Sequence, residues 1–291
     1  MSAAGKRPPA PFIVGVMRSG TTLLRLMLDA HPQLTITPET KFIPDMIAAT
    51  KGGRATAEEA MAPLLASTRW PDFHLSEEGL RDRLRAAEPL DPTATLRALY
   101  EAYAERIGKP RWGDKTPGHG VRMPRIARAL PEARFIHLIR DGRDVTVSRR
   151  RRATDPAPVA KHAKRWQARI RATRRHAARV DHYIEERYEE LVTDPERVLR
   201  RICEFIELDY EPAMLDYHEH AAERLREIAN PLGRKTADWR LEAHALAAEP
   251  PQPDRIGAWR QAMSAQEIAE FEAAAGGMLK ELGYELSAVT R

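Results

Sequence analysis

Apolar residues in this 291-residue chain fall into two patterns. Short continuous runs mark buried strands, and spacing by three and four marks helices. Phe12–Met17 is a run of the first kind. It breaks at Arg18-Ser19-Gly20, and the amphipathic segment Thr21–Ala30 follows at once, closed by Pro32. Arg134–Ile139 has the same arrangement: an apolar run, the turn Arg140-Asp141-Gly142-Arg143, and a helix for which Asp144 is the predicted N-cap. Leu34–Thr37, Arg111–Lys115 and Tyr183–Tyr188 are weaker extended stretches. Helical spacing predicts Phe42–Ala49, Ala57–Ala66, Ser76–Ala87, Thr93–Gly108, Val121–Leu130, Val159–Arg179 and Ala265–Leu282, the last stopped by Gly283. A further helix begins at Pro195, capped by Asp194 or Thr193.

Strands alternating with helices predict an α/β fold, P-loop-like and three-layered, with a central parallel sheet and helices on both faces. The chain, 1–291, reads as one domain. Residues 50–108, all helical, read as an insertion, and 221–263, which holds the Pro-rich stretch Ala221–Asp254, as a covering segment. On such sheets ligands sit at the carboxyl ends of the strands. Arg18, Lys115 and Arg140 all fall there.

The first strand–loop–helix unit carries the chemistry. A tight turn before a helix aims backbone N–H groups and the helix N-terminus at one place, which suits a phosphate or sulfate. From Gly15 the spacing is Gly-x-x-x-x-Gly-Thr-Thr, the P-loop pattern with Thr21 where its lysine belongs. Ordinary nucleotide hydrolysis is therefore not expected. Arg18 supplies a planar, charged fork instead. A buried turn that binds nothing is the plain alternative.

Charge and composition narrow the picture. Hydrophobic residues make up 43% and charged residues 31%, as in a soluble globular protein. Lys+Arg 47 against Asp+Glu 42 leaves +5, and the excess is local: fourteen Arg/Lys and three Asp lie in Arg140–Arg179. That suits an anionic ligand, although such a run also serves as a solvated helix face. Few aromatics interleave with the charges, so a nucleic-acid partner is not expected. No run reaches membrane-spanning length, and Cys203 stands alone in an apolar helical pattern; a cytoplasmic protein without membrane contact is the expectation. His31 and His119 are isolated histidines, and no metal site is expected.

Val14–Pro44 contains Arg18-Ser19-Gly20-Thr21-Thr22-Leu23, then Leu28-Asp29-Ala30-His31-Pro32, then Glu39-Thr40-Lys41. This block resembles the sulfotransferases that use 3′-phosphoadenosine 5′-phosphosulfate (PAPS), above all the tyrosylprotein sulfotransferase branch and its bacterial relatives. The similarity resumes at Asp114–Pro117, Phe135–Ser148 and Tyr188–Val192, and more weakly at Arg255–Trp259 and Leu282–Tyr284. The resemblance implies that Arg18, Ser19, Gly20, Thr21 and Thr22 hold the 5′-phosphosulfate. It implies that Arg140 and Ser148, with Arg152, hold the 3′-phosphate. Tyr188, Arg255 and Gly257 would also contact the nucleotide. Glu39 falls on the catalytic base, and Lys115 on a residue that stabilises the transferring sulfuryl group. The implied reaction moves that group from PAPS to a hydroxyl or phenol of a small molecule or peptide and releases PAP, without a metal.

From the residues alone, Glu39 could equally cap the helix that follows, and Lys115 could be a surface charge at a strand end. In place of the branch's lysine before the tryptophan stands Ala258 before Trp259. A P-loop-like small-molecule kinase and a non-enzymatic PAP- or nucleic-acid-binding module are the competing readings. The leading one requires the Arg18 loop and the Arg140/Ser148 unit to open onto one cavity.

Overall fold

A computed structural model describes residues 7–151, 157–226 and 245–287. The chain runs β1 (Ala10–Gly15), α1 (Thr21–Asp29), β2 (Leu34–Ile36) and α2 (Ile43–Ala49). Three helices follow: α3 (Ala57–Leu65), α4 (Glu77–Ala86) and α5 (Pro92–Ile107). Next come β3 (Arg111–Lys115), α6 (Met123–Ala129), β4 (Ala133–Ile139), α7 (Gly142–Arg150), α8 (Val159–Ala177) and β5 (Tyr183–Arg187). Among the described residues the remaining helices are α9 (Tyr188–Thr193), α10 (Pro195–Phe205), α11 (His218–Arg226), α12 (Trp259–Ala262) and α13 (Ala265–Glu281). Among the described residues the strands form one sheet, all parallel, in the order β2-β3-β1-β4-β5.

Alternation along the strands assigns the two faces. Phe12 and Val14 of β1, with Phe135 of β4, turn to the face covered by α2–α6. Ile13, Ile136 and Leu138 turn to the other face, packed by α1, α9 and α10. A third apolar cluster joins α7, α8, α12 and α13 around Trp166 and Phe271. The helical stretch between α2 and β3 is anchored on the first face. There Trp112 stacks on Tyr100 at 4.3 Å, and Phe73 meets Phe42 and Tyr103. Cys203 is buried beside Met214. His31 fastens the end of α1, its Nε2 lying 2.9 Å from the Asp209 carbonyl. No helix among the described residues is long and apolar enough to cross a membrane.

The structure corrects several local expectations. Asp141, not Asp144, caps α7: its Oδ1 accepts from the Arg143 amide at 2.8 Å. The helix expected over 121–130 is α6, which starts two residues later because a 3-10 segment, Pro117–Val121, precedes it. Tyr188 begins α9 rather than ending the strand, so Glu189–Thr193 is helical. Asp194 is the cap of α10, and Pro195 is its first residue. Of the covering segment 221–263, residues 227–244 lie outside the described residues, as does Arg152.

Candidate active site

The turn after β1 is shaped by two residues with positive φ, Arg18 (79°) and Gly20 (88°). Glycine adopts that conformation freely, whereas at a residue such as Arg18 it stores roughly 1–2 kcal/mol. A second constraint acts on Gly20. A Cβ there would lie 2.3 Å from Cδ2 of Tyr188, so the ring is pressed onto the loop backbone. Arg140 lies on the same ring, its Cζ 4.1 Å from the centroid, a cation–π contact. The start of α1 adds the N–H groups of its first turn, which have no intrahelical acceptors.

The β4–α7 unit meets this loop directly. Arg18 donates through Nε to Ser148 Oγ at 3.1 Å, and Arg140 reaches the Arg18 carbonyl at 3.5 Å and the Arg255 carbonyl at 3.0 Å. The Nε of Arg140 and the hydroxyl of Ser19 are buried without a hydrogen-bond partner. Asp144, one turn into α7, accepts from the amides of Gly257 (2.9 Å) and Trp259 (3.0 Å) and so ties the 255–259 loop to the site. Burial raises the Asp144 pKa, against the pull of Arg140 and these amides.

Glu39 stands in the loop between β2 and α2. Its neighbour Thr40 is pinned from β3 and the residue after it: the Thr40 amide donates to Thr116 Oγ1 at 2.8 Å, and the Thr40 hydroxyl donates to Asp114. Lys115 ends β3 with its ammonium 3.0 Å from Glu39 Oε1. Lys41 (3.3 Å) and Arg69 (3.6 Å) approach the other oxygen. Burial alone would raise the Glu39 pKa, but Lys115, then Lys41 and Arg69, hold the carboxyl well below the usual carboxylate range. Burial also lowers the Lys115 pKa, opposed by Glu39. The pair is therefore an ionised carboxylate against a desolvated ammonium. Arg69, from the helical stretch, is a member that the sequence did not mark.

These residues share one space. Arg18, Gly20, Thr21, Thr22, Glu39, Lys115, Arg140, Ser148, Tyr188 and Arg255 all line a cavity of about 140 Å³. A second cavity of about 140 Å³ adjoins it, sharing Arg18, Arg140, Ser148 and Arg255 and adding Arg151, an arginine not singled out in the sequence. Ser19 and Gly257 are not in these walls: Ser19 is fully buried beneath the turn, and the Gly257 amide is taken by Asp144. A larger cavity of about 710 Å³ meets the first at Met17, Glu39 and Pro117. Its wall carries Lys41, Arg122, Arg149, Arg165 and Arg169, with Glu39 as the sole carboxylate among its lining residues. The basic run in the sequence is thus partly a cavity wall. Its periodicity alone cannot say so, because the facing wall comes from residues 39–44 and 116–122.

A family model described as "Sulfotransferase family" matches residues 9–212. The chain is 29% identical over 222 residues to protein-tyrosine sulfotransferase 1 of Danio rerio, covering 74% of this chain and 57% of that protein. It is 25% identical over 287 residues to protein-tyrosine sulfotransferase A of Caenorhabditis elegans, covering 96% of this chain and 68% of the relative. Among solved structures, the sulfotransferase domain of the Synechococcus PCC 7002 olefin synthase superposes with a TM-score of 0.58 at 26% identity, over 98% of both chains. The sulfotransferase domain from the Curacin biosynthetic pathway shares the fold at 20% identity, with a TM-score of 0.58 over 97% of this chain and 99% of that one. Loop, sheet order and family match agree: the chain belongs to the sulfotransferase family, and protein-tyrosine sulfotransferases are among its relatives.

Proposed function

We propose that this protein transfers a sulfuryl group from PAPS to a hydroxyl or phenol acceptor, leaving PAP and a sulfate ester. One observation carries the reading. The Arg18 loop and the Arg140–Ser148 unit line one cavity, which opens at Glu39 into a second, larger one. The donor set fits an anionic nucleotide: a helix N-terminus, Arg18, Lys115, and Arg140 with its unpartnered buried Nε. PAPS, when bound, supplies the activated sulfuryl group.

Arg18, Gly20, Thr21 and Thr22 would hold the 5′ end, and Arg140 and Ser148, with Arg151 nearby, the 3′-phosphate. Tyr188 and Arg255 would flank the nucleotide. Ser19 and Gly257 support the pocket from behind its wall. Each of the two small cavities is below the roughly 300–1,000 Å³ usual for ligand sites. Arg18 and Ser148, bonded to each other, stand in the walls of both. Nucleotide entry therefore requires Arg18 to leave Ser148, which merges the two spaces.

Charge develops on the oxygens of the transferring group, and Lys115 and Arg18 are placed to offset it. Glu39 takes the proton of the acceptor. A carboxylate held ionised by Lys115 is a weak base, and turning that ammonium towards the sulfuryl group raises the basicity of Glu39 as the proton comes off. The acceptor enters through the large cavity. Five cations against one carboxylate there favour a hydroxyl or phenol carried on an anionic peptide or small molecule. The lone, buried Cys203 suits a reducing cytoplasm.

Titration calorimetry with PAP tests the first half; micromolar binding is expected, and its absence overturns the reading. Labelled PAPS offered with a panel of hydroxylated acceptors, read by mass spectrometry, tests the second. Glu39→Ala should keep PAP binding and lose about 10²–10⁴ in turnover, the usual worth of a general base. Near-normal turnover in that variant would remove Glu39 from the base role.

A further inference from the structure

The proton that Glu39 accepts cannot stay there. Three cations surround that carboxylate, so its protonated form is disfavoured and must discharge before the next turnover. His119 lies in the wall of the same 710 Å³ cavity, on the 3-10 segment after β3, only 3% exposed. Its place is fixed from behind: Gly120 packs so closely on α8 that a Cβ would come within 2.7 Å of the Thr173 hydroxyl.

The hydrogen bonds around His119 select its tautomer. Tyr100 donates to Asp114 Oδ2 at 3.0 Å, and the Thr40 hydroxyl donates to the same oxygen. With Asp114 ionised, the Thr40 hydrogen is committed to it, and Thr40 Oγ1 accepts from His119 Nε2, which lies 2.9 Å away. Neutral His119 therefore carries its hydrogen on Nε2, and Nδ1 is the basic nitrogen.

The geometry points to His119 as the proton-exit group of this site: it receives through cavity water the proton that Glu39 took from the acceptor, and releases it to bulk solvent. The inference rests on the sulfuryl-transfer reading. The O–H bond on Glu39 breaks, an N–H bond forms at His119 Nδ1, and the imidazolium then gives a proton to water; no electrons change hands. Asp114 Oδ1, 4.0 Å from Nε2, steadies the transient charge. The charged groups nearest this imidazole are Asp114 from β3 and Glu39 from the opposite loop, and Lys41 from that loop and Arg149 from α7 line the same cavity. Arg122 follows on its own segment, and His162, Arg165 and Arg169 line the cavity from α8. Burial, opposed by Asp114 and Glu39, keeps its pKa below the ordinary 6.5, so it is neutral and ready to accept at neutral pH.

The test is His119→Gln, which keeps an N–H for Thr40 and removes the basic nitrogen. Expected are a fall in kcat of tenfold or more with KM and PAP affinity little changed, loss of the acid limb of kcat below pH 6.5, and recovery with added imidazole. Nitrogen-15 spectroscopy of the wild type should report the Nε2–H tautomer. Wild-type kcat and pH profile in the variant overturn the proposal, as do a loss that imidazole does not repair and an Nδ1–H tautomer. If the wild type itself forms no sulfate ester, the sulfuryl-transfer reading has failed instead, and the two failures are told apart by that control.

Discussion

At position 20 a single methyl group probes the whole β1–α1 loop. Gly20→Ala forces a side chain onto a φ of 88° and drives it to 2.3 Å from the Tyr188 ring, which Arg140 backs from 4.1 Å. Neither neighbour can retreat cheaply, because Tyr188 is buried and the Arg140 guanidinium is bonded to two carbonyls. The expected cost is about 1–3 kcal/mol of stability and at least a tenfold loss of PAP affinity, read by thermal unfolding and calorimetry. Adding Tyr188→Ala should recover part of the stability, since it removes the clash and leaves the backbone strain. An additive double mutant would show that ring and loop are uncoupled. The need for glycine at this point was legible from the spacing of Gly15, Gly20, Thr21 and Thr22. Its packing partner was not, because nothing local to the loop announces a ring that arrives with α9.

At the scale of elements, α7 shows what local pattern captures and what it misses. The apolar run of β4, the turn and the helix were legible, since each is encoded in contiguous residues. The cap was misassigned to Asp144 because an acidic residue at a helix start satisfies the same local rule as Asp141 three residues earlier. What separates them is tertiary. Asp141 bonds the Arg143 amide and guanidinium, while Asp144 reaches across to the amides of Gly257 and Trp259. Asp144→Ala leaves two amides without their acceptor and releases the loop whose Arg255 carbonyl receives Arg140. A loss of about 1–3 kcal/mol is expected, with PAP binding weakened by tenfold or more. A destabilised variant that binds PAP as the wild type does would separate that loop from the nucleotide site. The same limit explains α9, where Tyr188–Thr193 is too short for helical spacing to register and is helical because Leu191 and Val192 dock on the sheet. It also explains the large cavity, whose members Met17, Lys41, Arg122 and Arg165 come from separate parts of the chain.

Across the whole molecule, charge and burial make the fold answer to pH and salt. His137 is buried in β4 with Nδ1 2.7 Å from the Tyr183 hydroxyl, and burial lowers its pKa despite Glu185. A histidine kept neutral in the fold takes up a proton more readily when unfolded. Its contribution to stability is therefore full above the unfolded value of about 6.5 and declines as the pH falls from there towards the lowered folded value. His137→Gln should flatten the melting temperature between pH 6.5 and 5 relative to the wild type, and an unchanged slope would place the acid sensitivity elsewhere. Salt acts through a different set of charges. Part of the chain's excess of five positive charges stands where α7 and α8 line the 710 Å³ cavity, through Arg149, Arg165 and Arg169. Exposed charges of this kind steer an anionic acceptor over distances near the Debye length, about 10 Å at 0.1 M salt and about 3 Å at 1 M. The KM for an acidic acceptor should therefore rise severalfold across that range. Arg165→Glu with Arg169→Glu should raise it about tenfold at low salt, leave kcat within about twofold and erase most of the salt dependence. In the proposed reading PAP occupies the other cavity, so its affinity should be unaffected by the pair. If instead PAP binding collapses and acceptor KM does not move, the basic wall serves the nucleotide, and the acceptor must reach Glu39 by another route.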